Sequence, residues 1–363
     1  MQRRDFLRTA AHTAAAGVAA AGSPLARAAS ADPPRRRVKV GQIGTAHAHA
    51  GGKMDALRRL TDQYEVVGVV EPDAALREAA QRQAVYRDLR WMTEPELLDT
   101  PGLQAVAVET AVRDLIPTAA RCIAAGMHLH LDKPAGDSLP AFQRVLDDAA
   151  RQRLTIQMGY MFRNNPAFQF CFRAVREGWL GDVFEVHAVI SKKDPVSQRR
   201  RLTEFAGGTM FELGCHVIDA VVAVLGKPER VTPFLRRTRP DLDNLADNTL
   251  AVLEYPQATC TVRSSLVEVE GGQRRQFVVC GDQGTIDIRP LEPPALRLAL
   301  QQPRSAFRRG YQEVPLPKMP GRYDDQLAEL AKIIRGEMEH PYPPEHDLAV
   351  QETVLHASGM PVE

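Results

Sequence analysis

Two short stretches concentrate residues able to do chemistry. The first is His128-Leu129-His130-Leu131-Asp132-Lys133-Pro134-Ala135-Gly136. It reads as a strand that delivers an acid, a lysine and a proline at its end. Pro134 biases Lys133 away from helical geometry and so sets its direction. A lysine held there can donate to a substrate hydroxyl, and a neighbouring positive charge would lower its pKa. A solvated strand-end lysine is the plainer alternative. His128 and His130 share one face of the strand and suit packing rather than ligation.

The second stretch is Gly207-Gly208-Thr209-Met210-Phe211-Glu212-Leu213-Gly214-Cys215-His216-Val217-Ile218-Asp219. On a helix, Glu212 and His216 fall at i and i+4, on one face. A carboxylate beside an imidazole raises its pKa and orients it, as a general base for a hydroxyl proton requires. Oxidation of an alcohol carbon by hydride loss needs such a base, because the hydroxyl proton leaves as the carbonyl forms. A capped helix with a hydrogen-bonded histidine would show the same spacing. Gly207 and Gly208 would let another chain approach the helix start.

These groups need a frame. Val38 to Ile43 reads as a buried strand, Gly44 as a tight turn, and Ala48 to Leu60 as a helix. That layout holds a dinucleotide pyrophosphate on a helix N-terminus, with Gly44, Thr45, Ala46 and His47 as the cradle. A full fingerprint has glycine at positions 44, 46 and 49, and only Gly44 complies. Alanine at 46 is sterically mild. His49 is bulky, so either the helix sits farther out or His49 points into the cleft. No carboxylate or cysteine lies at ligand spacing from His47 and His49, so no metal site is expected. Glu71 ends the next strand, where an acid accepts hydrogen bonds from the adenosine ribose and repels a 2′-phosphate; NAD is preferred over NADP.

Helices and short strands then alternate: helix 74–83, helix 94–98, strand 104–108, helix 117–125, strand 127–131, helix 140–153 and strand 155–158. Such alternation means a parallel, doubly wound sheet, and its ligands bind at the carboxyl ends of the strands. Gly44, Glu71, Glu109 and Asp132 fall at those ends, which makes them, with Lys133, candidate cofactor contacts. The second half runs helix 167–177, strand 183–191, helix 209–225, six successive strands between 230 and 300, and helices 323–335 and 347–358. This predicts an α+β domain with one open, mostly antiparallel sheet. Arg199-Arg200-Arg201 reads as a solvated loop. The expected organisation is a segment 1–30, a linker 31–37, a nucleotide-binding domain 38–158 and a substrate and oligomerisation domain 159–363.

Of 363 residues, 44% are hydrophobic and 25% charged, and 46 basic against 45 acidic residues leave +1. That is ordinary for a soluble globular chain and offers no basic run for nucleic acid. The start differs. Arg3-Arg4-Asp5-Phe6-Leu7, an alanine-rich run from Ala10 to Ala21 and Leu25-Ala26-Arg27-Ala28 have the order of a twin-arginine signal peptide. The run is shorter than the ~20 residues of a membrane span. Export through the Tat translocase would carry the protein folded to the periplasm or another extracytoplasmic space. Folding in a reducing cytoplasm suits five cysteines without C-x-x-C spacing, expected as free buried thiols.

Taken together, the strand–turn–helix, the D-K-P motif and G-G-x-x-x-E-x-G-x-H-x-x-D resemble the Gfo/Idh/MocA oxidoreductase family, from about Val38 to the last helix. The resemblance implies a Rossmann domain followed by the α+β domain, and an oxidoreductase acting on CH-OH groups. It places Lys133 at the hydride-transfer site and gives His216 the role of catalytic base, with Glu212 where the family usually has aspartate. Asp219 would help shape a sugar site. Gly159 to Pro166 is similar to the family's segment between the domains, so Arg163 and Asn165 would line the substrate cleft. Glu109-Thr110-Ala111-Val112 departs from the family's A-T-P-x.

The expected function is an exported NAD(P)-dependent oxidoreductase of a sugar, glycoside or cyclitol hydroxyl. Its cofactor would be bound tightly, because free NAD is scarce outside the cytoplasm. A dimer or tetramer through the open sheet is expected. Two rivals stand beside this reading. One is a redox-neutral glycoside hydrolase or lyase working through a transient keto sugar. The other is a catalytically retired sugar-binding module.

Overall fold

The structure, a computed structural model, describes residues 36–362. The twin-arginine segment and most of the linker lie outside the described residues. The chain begins β1 (Val38–Ile43), α1 (Ala50–Arg59), β2 (Tyr64–Val70), α2 (Ala74–Gln81), β3 (Trp91–Met92) and α3 (Glu94–Leu98). It continues β4 (Ala105–Val108), α4 (Val112–Ala124), β5 (His128–Leu131), α5 (Leu139–Arg151) and β6 (Ile156–Met158). The six strands form one parallel sheet in the order β3-β2-β1-β4-β5-β6. The order reverses at β1, and that crevice is where a doubly wound sheet binds its ligand.

Composition explains the centre of this sheet. β4 is Ala-Val-Ala-Val, buried at every position, as a strand covered by helices on both faces must be. Gly44 leaves β1 with φ +90°, and a Cβ there would lie 2.6 Å from the backbone of Thr110. Only glycine lets the turn pass so close to the end of β4. α4 begins five residues before the expected start and carries Pro117 inside it.

The second half holds α6 (Pro166–Arg176), β7 (Val183–Ser191), α7 (Val196–Leu202), α8 (Cys215–Leu225), β8 (Arg230–Arg236), β9 (Asn248–Glu254) and β10 (Thr259–Ser265). Then come β11 (Gln276–Gly281), β12 (Gly284–Ile288), β13 (Leu296–Leu300), β14 (Gly310–Glu313), α9 (Asp324–Ile334) and α10 (Pro344–Ala357). Eight strands pair in the order β14-β13-β12-β11-β7-β10-β9-β8, antiparallel except for β7 with β10. One apolar core runs through both sheets, from Val40 and Leu129 to Phe277 and Val354. No helix among the described residues is long and apolar enough to cross a membrane.

Two expectations are corrected here. Arg199 does not sit in a solvated loop. It lies on α7, is buried, and donates to Asp243 and Asp247 at 2.9 Å. Nor is 209–225 one α-helix: Met210–Gly214 is a π-turn and the α-helix starts at Cys215. A π-turn inserts an extra residue per turn and so breaks the i, i+4 alignment of the side chains around it.

Candidate active site

The site lies at the carboxyl ends of β1, β4 and β5, facing the π-turn and the start of α8. Lys133 leaves β5 through a cis peptide bond to Pro134. Its side chain is buried, and its Nζ donates to the Glu212 carbonyl at 2.8 Å and to Glu212 Oε1 at 3.1 Å. The π-turn opens the backbone at Glu212, so that its carbonyl also meets Cys215 Sγ at 3.2 Å. The expected Glu212–His216 pairing is therefore not made; Glu212 pairs with Lys133.

The charges follow from this pairing. Burial alone would lower the Lys133 pKa, but Glu212 beside it leaves it above the ordinary lysine value, contrary to the expected lowering. Burial would raise the Glu212 pKa, but Lys133 brings it down to about 2. Burial pushes the His216 pKa well below that of a free imidazole, and the Lys133 and His49 charges push it further. His216 is thus a neutral imidazole at pH 7. It is 1% exposed, sits among the rings of His49, Phe162 and Tyr160 with centroids 5.9, 5.9 and 6.3 Å away, and its Nδ1 has no hydrogen-bond partner.

The opening loop is built on Glu71, whose Oε2 accepts from the Thr45 N–H at 2.7 Å and from the Thr45 hydroxyl at 2.8 Å. α1 has no side-chain cap; its Ala50 and Lys53 N–H groups bond to the His47 and His49 carbonyls, which leaves those of Gly51 and Gly52 for an anion. A cavity of about 400 Å³ runs past Gly44, Glu71 and Thr110. A second, of about 530 Å³, continues past Ala46 and His47 to Glu212. The two share Ala46, Leu76, Ala111 and Arg113, so a two-part ligand laid across the loop would reach both.

His49 points into the cleft. Its Nδ1 lies 3.1 Å from Asp132 Oδ2, and its ring is 5.8 Å from that of Tyr323. His47 faces the same carboxylate, with Nδ1 3.0 Å from Asp132 Oδ2, and its Nε2 is 3.1 Å from the Lys133 carbonyl. Glu109, fully buried, has no hydrogen-bond partner on either oxygen, and its Oε2 lies 4.0 Å from His47 Nδ1. Burial raises its pKa well above the usual carboxylate range, and the Asp132 charge raises it further. Burial would raise Asp132 too, but His47 and His49 hold it well below.

The residues expected to line the substrate cleft have other engagements. Arg163 is 1% exposed; its Nε and Nη2 donate to Asp219 and its Nη2 to Asp347 at 2.5 Å, with Tyr342 4.0 Å beneath the guanidinium. Asn165 caps α6 through the Ala167 N–H at 3.0 Å and donates to the Leu291 carbonyl at 3.1 Å, so both of its polar ends are taken. Sequence reasoning missed Lys53, fully buried on α1, which contacts His130 Nε2 and lies 4.6 Å from the centre of the Tyr323 ring. Burial lowers its pKa. Its signal was present, four positions after His49 on the same helix face. His128 and His130 are hydrogen-bonded packing residues, to the Thr155 N–H and to Gln157 and Lys53 respectively.

Comparison with known proteins agrees with this geometry. Residues 38–160 match the Gfo/Idh/MocA oxidoreductase family with its NAD-binding Rossmann fold, and residues 168–287 match the family's C-terminal domain. An uncharacterized oxidoreductase of Rhizobium meliloti, ORF334, is 30% identical over 267 residues, 70% of this chain and 76% of the relative. Inositol 2-dehydrogenase 1 of Saccharopolyspora erythraea is 27% identical over 259 residues, 69% of this chain and 74% of its own. UDP-N-acetylglucosamine 3-dehydrogenase GnnA of Acidithiobacillus ferrooxidans shares the fold, with a TM-score of 0.72 at 17% identity over 88% of this chain and 96% of its own. The chain is a member of the Gfo/Idh/MocA family of NAD-binding oxidoreductases.

Proposed function

We propose that this protein oxidises or reduces a hydroxyl-bearing carbon of a sugar, glycoside or cyclitol, with His216 as the proton acceptor and Lys133 as the group that positions the reacting oxygen. One observation carries the reading: a buried, neutral imidazole with a partnerless Nδ1 lies within the field of a fully charged lysine, beside the nucleotide crevice. A neutral imidazole accepts a proton, and a fixed ammonium donates to an oxygen and stabilises charge developing on it. Glu212 holds the ammonium in place. The dehydrogenases to which the chain is similar act on inositol and on a nucleotide sugar, and this supports the substrate class.

The nicotinamide cofactor accepts or returns the hydride when bound. The loop fits it: Gly44 lets the turn pass close against the Thr110 backbone, and α1 offers the N–H groups of Gly51 and Gly52. Gly44 and Ala46 would line the pyrophosphate, whereas the Thr45 N–H and hydroxyl are taken by Glu71 and the His47 N–H by the Glu109 carbonyl; Glu71 and Asp73 put negative charge where a 2′-phosphate would lie, which favours NAD. Asp132 sets negative charge near a positive nicotinamide ring, with Glu109 beside it as a neutral acid. Arg163 and Asp219 brace the substrate side from behind. We further read the twin-arginine segment as an export signal, the cofactor as tightly held, and the eight-stranded sheet as a homo-oligomer surface, since Phe184, Phe234 and Tyr311 on its strands are exposed.

The test is the His216→Ala variant, assayed with bound or added NAD against a panel of sugars, glycosides and cyclitols. Turnover should fall by roughly 10² to 10⁴ while nucleotide binding persists. Full turnover in that variant would remove the proposed role. Product analysis separates net oxidation, coupled oxidation–reduction and glycoside cleavage.

A further inference from the structure

Linear spacing argues against a metal site near the opening loop, yet the fold supplies the missing carboxylates from β4 and β5. His47, His49 and Asp132 bring one ligand atom each to within 4.8 Å of one another. His47 Nδ1 and His49 Nδ1 lie 3.0 and 3.1 Å from the same Asp132 oxygen. Ligand atoms bound to one first-row divalent cation at about 2.0–2.2 Å stand roughly 3 to 3.5 Å apart, so these separations suit a shared ion.

Two further observations point to a cation. The Lys133 carbonyl can only accept, so His47 Nε2, at 3.1 Å from it, carries the hydrogen. That leaves His47 Nδ1 as an acceptor, which receives the His49 N–H at 3.3 Å and faces an Asp132 oxygen at 3.0 Å, a pair of acceptors that a metal ion can bridge. A metal-bound histidine commonly donates its other N–H to a backbone carbonyl, as here. The second observation is Glu109. It is fully buried, both its oxygens lack a partner, and Oε2 is aimed at the same Nδ1 from 4.0 Å. Glu109 adjoins the buried Asp132 carboxyl, and two such groups ionise together only where a cation answers them.

We propose that His47, His49, Asp132 and Glu109 form a binding site for one divalent first-row cation, of the zinc, cobalt or manganese class, at the inner end of the nucleotide crevice. Two imidazoles and two carboxylates suit these ions rather than calcium or magnesium. The His216 ring lies 5.9 Å from that of His49, so an open coordination position would face the space in which the substrate oxygen is handled. The site stands on its own geometry and does not depend on the proposed hydride chemistry.

The full chain is stripped with a chelator and titrated with CoCl2, followed by visible absorption, and with ZnCl2 by calorimetry. The prediction is saturation at one ion per chain, with ligand-field bands of a nitrogen–oxygen site, and displacement of cobalt by zinc. His49→Ala should weaken zinc binding at least 100-fold and Glu109→Gln about 10-fold, with far-ultraviolet dichroism checking the fold. Stripped wild-type protein that shows no saturable binding of cobalt, zinc or manganese would overturn the proposal. So would folded His49→Ala and Glu109→Gln variants that bind zinc as the wild type does. The wild-type titration decides the matter even if a variant fails to fold.

Discussion

Two buried charged clusters flank the cleft, and they are built on opposite plans. Around Arg163, negative charge is answered, since Asp219 and Asp347 both accept from the guanidinium and His346 stands 3.4 Å from Asp219; only Arg163 Nη1 is left without a partner. Around Asp132, the groups are not all answered, since Glu109 has no partner and two imidazoles converge on one carboxylate. A closed network holds elements together; here it ties the segment after β6 to α8 and α10. An open one keeps binding capacity in reserve at the expense of stability. The residues that family resemblance assigns to substrate thus belong to the closed cluster, and those of the irregular opening loop belong to the open one.

The sharpest way to break this contrast is Arg163→Leu. It strands two buried carboxylates, and stability should fall by about 4 kcal/mol in urea denaturation. A loss under about 1 kcal/mol would show that the network is not structural. The next effect belongs to the open cluster. Burial lowers the His49 pKa from 6.5 to about 4. A depressed folded pKa means that the unfolded chain takes up the proton first. The His49 contribution is therefore complete above pH 6.5, declines as pH falls, and is lost by about pH 4, roughly 3 kcal/mol in all. In chelator-treated protein, His49→Gln should flatten the pH dependence between these limits by one proton; an unchanged slope contradicts it. The smallest effect is Asn165→Ala, expected to cost about 1 kcal/mol through loss of the α6 cap with no change in KM. A KM effect without loss of stability would return Asn165 to the substrate site.

Five of the six strands of the first sheet were legible because their periodicity is unmixed, as in Ala105 to Val108, buried on both faces, whereas the two-residue β3 is too short to show any. The position of Lys133 was legible because Pro134 fixes the turn. What escaped depends on distant residues or local irregularity. The π-turn at Met210–Gly214 has no periodic signature, yet it moves Glu212 from His216 to Lys133. Arg199 reads as a solvated charge in the sequence, and α7 sets it against Asp243 and Asp247. The convergence of His49 on Asp132 spans 83 residues, so no spacing rule could have found it.

The central reading is that this chain carries a working nucleotide site beside His216 and Lys133. The direct measurement is to denature the purified protein and quantify released nicotinamide dinucleotide, then titrate the emptied, refolded chain with NAD, NADH, NADP and NADPH. About one dinucleotide per chain, or saturable binding that favours NAD, is the predicted result. No released nucleotide and no binding of any of the four would contradict it.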